Sequence, residues 1–353
     1  MTQTKILKID ANNINSDDIS FAASVLANGG LVIIPTETVY GIAANLKNQK
    51  AIERLSAIKE RSQDKPFSLH IANKEEIETF ASQIPPAAYK LANKFWPGPL
   101  TLILQAKDGG TVGMRLPDNR IAREIIAQAA VPVICPSANL CGRPAPIGFS
   151  DAIKDLEGRV DLAIDAGRTT LGVESTIVDL TVEPPKVIRE GWLEKGAIEA
   201  VLNKKNILFV CTGNSCRSVM AEAWLKKVLK DRNRQDVEVS SAGLLSSNAT
   251  LASRATIEIL GQEGIDVSGH RGRQLIGDLL KQSDLILVME ELHREKALEL
   301  APQVKNRLFL LKEFAKIDVG FPDIPDPIGG TGEIYNNTFS VIKEAVDRIA
   351  KII

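Results

Sequence analysis

Cysteine and histidine are both scarce, at four and three in 353 residues. Cys135, Cys141, Cys211 and Cys216 are too few for a disulfide scaffold in a chain this long. None of His70, His270 and His293 lies close in sequence to a cysteine pair, so no structural zinc site is expected. Long apolar runs are missing too. No window approaches the roughly 18 consecutive apolar residues of a membrane helix, and the opening MTQTKILKID has no apolar core followed by a cleavage site. A soluble, cytoplasmic chain without a membrane partner is expected. A charge excess of one sign is also absent: 43 basic against 44 acidic residues leave −1, split as 22 − 24 = −2 through residue 200 and 21 − 20 = +1 beyond it. Any nucleic-acid partner must therefore be held by a local basic groove and not by overall charge.

What is present is ordinary globular composition, 44% hydrophobic and 25% charged, at a length that suggests about two domains. Up to residue 190, short β-branched runs (5–9, 31–36, 67–71, 100–105, 131–135, 175–180 and 186–189) alternate with helical segments, one capped by Ser16 or Asp17 and another over 48–60 with Ile52, Leu55 and Ile58 on one face. This is α/β with a mixed sheet. A charged stretch then leads into Ile207-Leu208-Phe209-Val210, after which strands (237–240, 285–289, 307–311) alternate with helices (218–230, 253–262, 274–282), predicting a parallel sheet with helices on both faces. The last helix, 333–353, is expected to bury a stripe of Ile334, Val341, Ala345, Ile349 and Ile353. The resulting division is a first domain over 1–195, a linker over 196–205 and a second domain over 206–353.

The sharpest local feature is Cys211-Thr212-Gly213-Asn214-Ser215-Cys216-Arg217-Ser218, set between a buried strand and a helix. Cys-x5-Arg spacing alone arises by chance; the context discriminates. A glycine-containing loop at a helix N-terminus turns several N–H groups toward one point, a cradle for a tetrahedral oxyanion. The same field favours a thiolate at Cys211, a competent nucleophile, and Arg217 can grip two phosphoryl oxygens through its planar fork. Ser218 is placed to hydrogen-bond the sulfur as it leaves. A proton donor is also required: Asp318, Asp323 and Asp326 share one Pro/Gly-rich stretch, and Asp326, followed by Pro327, is the preferred candidate. With Ser240-Ser241-Ala242-Gly243 and the segment 284–289, residues 205–353 resemble the low-molecular-weight phosphotyrosine phosphatase family. The resemblance implies cofactor-free hydrolysis through a phosphocysteine intermediate.

Tyrosine-specific members of that family carry a bulky aliphatic residue where Ser215 stands and an aromatic one where Ile328 follows the Asp-Pro pair. The small hydroxyl residue and the two glycines after Ile328 look like the arginine-phosphatase branch, so a phosphoarginine protein ranks ahead of a phosphotyrosine protein as substrate. Arsenate reduction is demoted because no cysteine follows Cys216. Cys216 itself either traps oxidised Cys211 as a reversible disulfide or is a small loop-packing thiol.

In the first domain the informative feature is a dispersed set of motifs at strand ends: Pro35-Thr36-Glu37-Thr38-Val39-Tyr40-Gly41, Lys59-Glu60-Arg61, Lys65 to His70, Trp96 to Thr101, Thr111 to Pro117, Pro136-Ser137-Ala138-Asn139, Glu174 to Asp179 and Arg189-Glu190-Gly191. Read from the residues alone, Lys59, Arg61 and Arg189 offer positive charge to a polyphosphate, with serine and threonine hydroxyls as neutral donors. Trp96 and Tyr40 read as packing residues, Cys135 and Cys141 as structural. The ordered set is similar to the YrdC-like threonylcarbamoyl-AMP synthase family over about 10–195. That resemblance implies conversion of L-threonine, bicarbonate and ATP, with Mg2+ on the nucleotide, to threonylcarbamoyl-AMP and pyrophosphate, a product handed on to tRNA or tRNA-modifying proteins. Carried over by position, Thr36, His70, Arg115 and Ser175 hold threonine, while Lys59, Arg61, Thr111, Ser137, Asn139 and Arg189 hold ATP. No resident metal is implied. The rival reading is a concave double-stranded RNA or tRNA-binding module fused to a tyrosine phosphatase, separable by pyrophosphate release.

Overall fold

The computed structural model describes residues 3–60, 67–317 and 320–353. The chain divides into two compact units, Met1–Val201 and Leu202–Ile353. The stretch expected to be a linker holds most of a helix, Lys195–Leu202, and the next strand already starts at Lys205.

In the first unit, strands β1 (Lys5–Lys8), β2 (Val32–Ile34), β3 (Gly41–Asn45), β4 (Leu69–His70), β5 (Leu100–Gln105), β6 (Thr111–Arg115), β7 (Val133–Ile134), β8 (Leu162–Asp165), β9 (Thr176–Asp179) and β10 (Lys186–Arg189) form one sheet. Their order is β1-β8-β2-β3-β7-β4-β6-β5-β9-β10. The sheet is mixed, as expected: β8 runs parallel to β1 and β2, whereas β3 is antiparallel to both β2 and β7. The sequence reading had no strand at β3, β6 or β8. β3 and β8 are buried on nearly every residue, so neither shows the polar alternation that marks a half-exposed strand. Helices Ser16–Ala27 and Arg120–Ala129 bury Ile19, Leu26, Ile121 and Ile125 against Val32, Ile34, Leu162 and Ile164. The first of these helices is capped by Asn15, whose side chain accepts from the Asp17 N–H, one residue before the expected cap.

The second unit has four parallel strands, β11 (Lys205–Cys211), β12 (Val237–Gly243), β13 (Leu285–Val288) and β14 (Leu308–Leu310), in the order β12-β11-β13-β14. Alternate residues of β11 feed opposite faces. Ile207, Phe209 and Cys211 join a core with Met220, Leu225, Phe339 and Ile342; Leu208 and Val210 join one with Leu280, Ala297 and Leu310. Helices thus cover both faces, which is why β11 reads as a continuous apolar run. The terminal helix, Gly332–Ile349, buries Tyr335, Thr338, Phe339, Ile342, Val346 and Ile349. Of the expected stripe, Ala345 and Ile349 are buried and Val341 and Ile353 pack partly buried against the core; Ile334 alone is exposed, because the larger Tyr335 and Phe339 claim the face turned to the core. Among the described residues, no helix is long and apolar enough to cross a membrane.

Candidate functional sites

In the first unit the chain leaves β2 and runs through Pro35 to Tyr40, all buried, before β3 opens at Gly41. Buried backbone needs internal partners. Thr36 supplies several: its hydroxyl donates to the Val39 carbonyl at 2.7 Å and accepts from the N–H groups of Thr38 and Val39. This loop zips to the Ser-x-Asn turn, with Ala138 N–H donating to the Tyr40 carbonyl at 2.8 Å and Gly41 bridged to Ser137. A Cβ at Gly41 would meet the Cys135 Sγ at 2.3 Å, so glycine permits the close approach.

Beside these turns lies a cavity of about 260 Å³, and Thr36, Lys59, His70, Arg115, Ser137, Ser175 and Arg189 all line it. Arg115 is buried; its Nη2 donates to Glu37 Oε1 at 2.7 Å and to Thr38 Oγ1 at 2.8 Å, while its Nε has no partner. Burial, then the adjacent Arg115 cation, pushes His70 down to about 3, so its imidazole is neutral; Nδ1 is buried and unpartnered. Arg189 wraps Ser175, donating to its carbonyl from Nε and Nη2 and to its Oγ from Nη2, and pairs with Glu174 at 3.1 Å. Burial lowers its pKa from the ordinary value. Lys59, at the end of helix Gln49–Lys59, donates to the carbonyls of Ser137 and Asn139 at 2.9 and 2.8 Å and to Asn139 Oδ1 at 2.9 Å. Asn139 thus reaches the site through Lys59 without lining the cavity. Thr111, also expected to hold ATP, is exposed and opens β6 four residues before Arg115; it does not line this cavity. Arg61 and Lys65 lie outside the described residues.

The second site sits where β11 meets helix Arg217–Asp231. Asn214 has φ +52, a left-handed turn that asparagine tolerates. Its amide orientation is fixed, because Oδ1 accepts from the Arg273 N–H at 2.8 Å. Nδ2 must then donate, and it reaches Ser218 Oγ at 2.9 Å and Ser241 Oγ at 2.7 Å. Ser218 Oγ stands 2.9 Å from Cys211 Sγ, and the Asn214 N–H approaches the same sulfur at 3.3 Å. Ser241 passes its proton to Glu222. The sulfur thus accepts from a backbone N–H of the loop and lies within reach of the Ser218 hydroxyl.

Arg217 is almost wholly buried. Nη1 donates to the Ile324 carbonyl and pairs with Glu290, both within 2.9 Å; Nη2 donates to Thr212 Oγ1 and Asp326; Nε has no partner. Asp326 thus shares the arginine fork with Glu290. Asp323 is spent elsewhere, accepting from the Glu291 N–H at 3.0 Å, and Asp318 lies outside the described residues. Cys216 Sγ is held by Ser253 and Tyr335 at 3.3 and 3.4 Å, and Ser215 Oγ stands 3.5 Å from it. Gly213 completes the loop.

The Sua5/YciO/YrdC family profile, described as telomere recombination, matches residues 24–191, and the low molecular weight phosphotyrosine protein phosphatase profile matches 206–353. A threonylcarbamoyl-AMP synthase from Pyrococcus abyssi is 40% identical over 212 residues, 58% of this chain and 62% of its own length. A relative from Methanocaldococcus jannaschii is 36% identical across 54% of this chain and 94% of its own. A protein-arginine-phosphatase from Geobacillus stearothermophilus is 36% identical across 41% and 93%. The chain belongs to both families.

The solved structure of P. abyssi Sua5 complexed with L-threonine, 27% identical, superposes with a TM-score of 0.54, covering 87% of this chain and 99% of that one. This chain spans about six tenths of the length of the curated synthases first matched. Together the matches describe a Sua5-type unit fused to a phosphatase-type unit, and the named relatives are enzymes, which disfavours the RNA-module reading. Several residues that complete these sites were not anticipated: Glu37, Glu174 and Thr101 in the Sua5-type unit, and Glu222, Glu290 and His293 in the phosphatase-type unit. Glu37, Thr101 and Glu174 stand inside the motifs at the strand ends; Glu222, Glu290 and His293 carry no local signal. Cys141, expected to be structural, is exposed.

Proposed function

We propose that this chain is a bifunctional cytoplasmic enzyme, a threonylcarbamoyl-AMP synthase over about 1–195 joined to a cysteine-dependent protein arginine phosphatase over about 206–353. In the first unit, the threonine amine forms a C–N bond to bicarbonate with loss of water. The resulting carbamate oxygen then takes the AMP group of ATP, and pyrophosphate leaves. Arg115, with Thr36, His70 and Ser175, would hold threonine; the unpartnered Arg115 Nε suits its carboxylate, and a neutral His70 neither repels the amine nor protonates. Lys59, Ser137, Asn139 and Arg189 would hold ATP, their charge offsetting that on the departing pyrophosphate. Mg2+ would arrive with the triphosphate: among the described residues no three His, Cys, Asp or Glu side chains gather to hold it. The product would pass to tRNA-modifying proteins.

In the second unit the observation that carries the reading is the Arg217 fork. Asp326 occupies Nη2 and Nε is vacant of partners, so a phosphoryl group can take both and release Asp326. Cys211 Sγ then bonds to phosphorus as the P–N bond of phosphoarginine breaks, and Asp326 gives its proton to the departing nitrogen. Water next attacks the phosphocysteine, Asp326 takes its proton, and Ser218 donates to the sulfur as it leaves. Ser215 beside the loop gives the guanidinium a polar neighbour.

The test supplies the purified chain with ATP, threonine and bicarbonate, then separately with phosphoarginine and phosphotyrosine proteins. Pyrophosphate with threonylcarbamoyl-AMP, and faster release of phosphate from phosphoarginine, are expected. Absent pyrophosphate together with salt-sensitive tRNA binding overturns the first assignment; preference for phosphotyrosine overturns the second.

A further inference from the structure

His293 is wholly buried beside the phosphate loop, and the steps above make no use of it. It sits in the first turn of helix Glu291–Leu300, immediately after β13. Its Nδ1 accepts from the Glu290 backbone N–H at 3.0 Å. An amide can only donate, so Nδ1 carries no hydrogen and the neutral ring must bear its hydrogen on Nε2. That nitrogen lies 3.0 Å from Thr212 Oγ1, and the bond runs from histidine to threonine. The same oxygen accepts from Arg217 Nη2 at 3.2 Å. With both acceptor positions filled, the Thr212 hydroxyl cannot rotate without losing a buried bond.

We infer that His293 and Thr212 form a positioning pair that holds Arg217 in register once Asp326 leaves it. The inference rests on the phosphatase reading above. Arg217 Nη2 has two hydrogens: Thr212 takes one, and the other is left for Asp326 in the free enzyme and for a phosphoryl oxygen in the complex. When Asp326 moves to the leaving group, the guanidinium loses one of its two carboxylates. Glu290 and the Ile324 carbonyl hold Nη1, and on the Nη2 side only the Thr212 bond persists among the described contacts. His293 sets the direction of that bond without touching substrate. The groups facing the ring are Arg217, Glu290 at 3.5 Å, Asp326 and Asp323; burial first, then the arginine, pushes its pKa down to about 4, so the tautomer persists at neutral pH. A merely structural histidine would cap its helix just as well without the bond from Nε2.

The pair is tested in the full chain with p-nitrophenyl phosphate as substrate and inorganic phosphate as competing ligand. Thr212→Val and His293→Asn are each expected to weaken phosphate inhibition and lower kcat/KM by about tenfold, the size of one lost hydrogen bond. Thr212→Ser should retain near-normal values. The double variant should lose no more than either single one, because both act through the same bond. Thermal melting of each variant separates this from failure to fold, and His293→Gln supplies a second probe if His293→Asn melts early. Additive losses, or unchanged phosphate inhibition in Thr212→Val, overturn the inference. An unsubstituted chain that hydrolyses no phosphomonoester and is not protected by phosphate overturns the phosphatase reading itself.

Discussion

The phosphate loop of the second unit draws its geometry from eight consecutive residues, 211–218, whereas the cavity of the first unit draws on side chains spread from Thr36 to Arg189. The contiguous loop presents backbone N–H groups, which any sequence of compatible φ provides, and adds a sulfur and one fork. The dispersed cavity presents side-chain cations, each needing its own support: Glu37 for Arg115, Glu174 for Arg189 and the Ser137–Asn139 turn for Lys59. A contiguous site should therefore fail at single chemical groups, and a dispersed one at the partners that align them.

The largest effect expected is at the sulfur. Cys211→Ser should lower phosphatase turnover on the order of 10⁴-fold or more, with pyrophosphate release in the first unit unchanged. Loss of both activities would erase the contrast. Next, Arg115→Met should abolish pyrophosphate release and destabilise the first unit by about 3–5 kcal/mol, since Glu37 is left buried and unpaired. Adding Glu37→Gln should restore the melting temperature but not the activity; a stability cost that persists in the double variant would show that the partner is not the cause. Asp326→Asn should slow phosphoarginine hydrolysis roughly 10²-fold while hardly affecting p-nitrophenyl phosphate, whose leaving group needs little protonation. Equal losses on both substrates would count against its role as acid.

A pH measurement sharpens the comparison further. His70 has its folded value near 3, below the ordinary 6.5, so the unfolded chain binds the extra proton between those limits. Its contribution to stability is intact above about pH 6.5 and is lost as pH falls toward 3, at up to about 1.4 kcal/mol per unit. Urea midpoints of the first unit should therefore fall more steeply over pH 6.5–4 in the unsubstituted chain than in His70→Asn, and parallel slopes would contradict that. The smallest effect is at Gly191, where a Cβ would meet the Glu174 carbonyl at 2.2 Å; Gly191→Ala should cost about 1–3 kcal/mol and weaken ATP binding through Ser175 and Arg189. A variant of unchanged affinity would detach that turn from the site.

Much of this is legible in the amino-acid order. The strand, loop and helix around Cys211 announce themselves because a buried strand is a continuous apolar run and the loop chemistry is local. Strands β3 and β8 escaped notice because burial on both faces erases alternation, and in helix Gly332–Ile349 the expected Ala345 and Ile349 face the core while Ile334 does not, because Tyr335 and Phe339 pack there instead. Thr111 and Arg115 stand at opposite ends of β6, and of the two only Arg115 lines the cavity.

By itself the amino-acid order determined the two α/β units, the loop that sets Cys211 beside Arg217, and the Lys59, Arg115 and Arg189 cations that line the first cavity. Only the tertiary structure decided that Asp326 and not Asp323 meets the arginine, that Glu37 backs Arg115, and that His293 holds Thr212. Each of these joins residues between 32 and 109 positions apart or is fixed by the direction of a buried hydrogen bond. Such pairings follow from how helices and strands stack, and no local pattern along the chain encodes them.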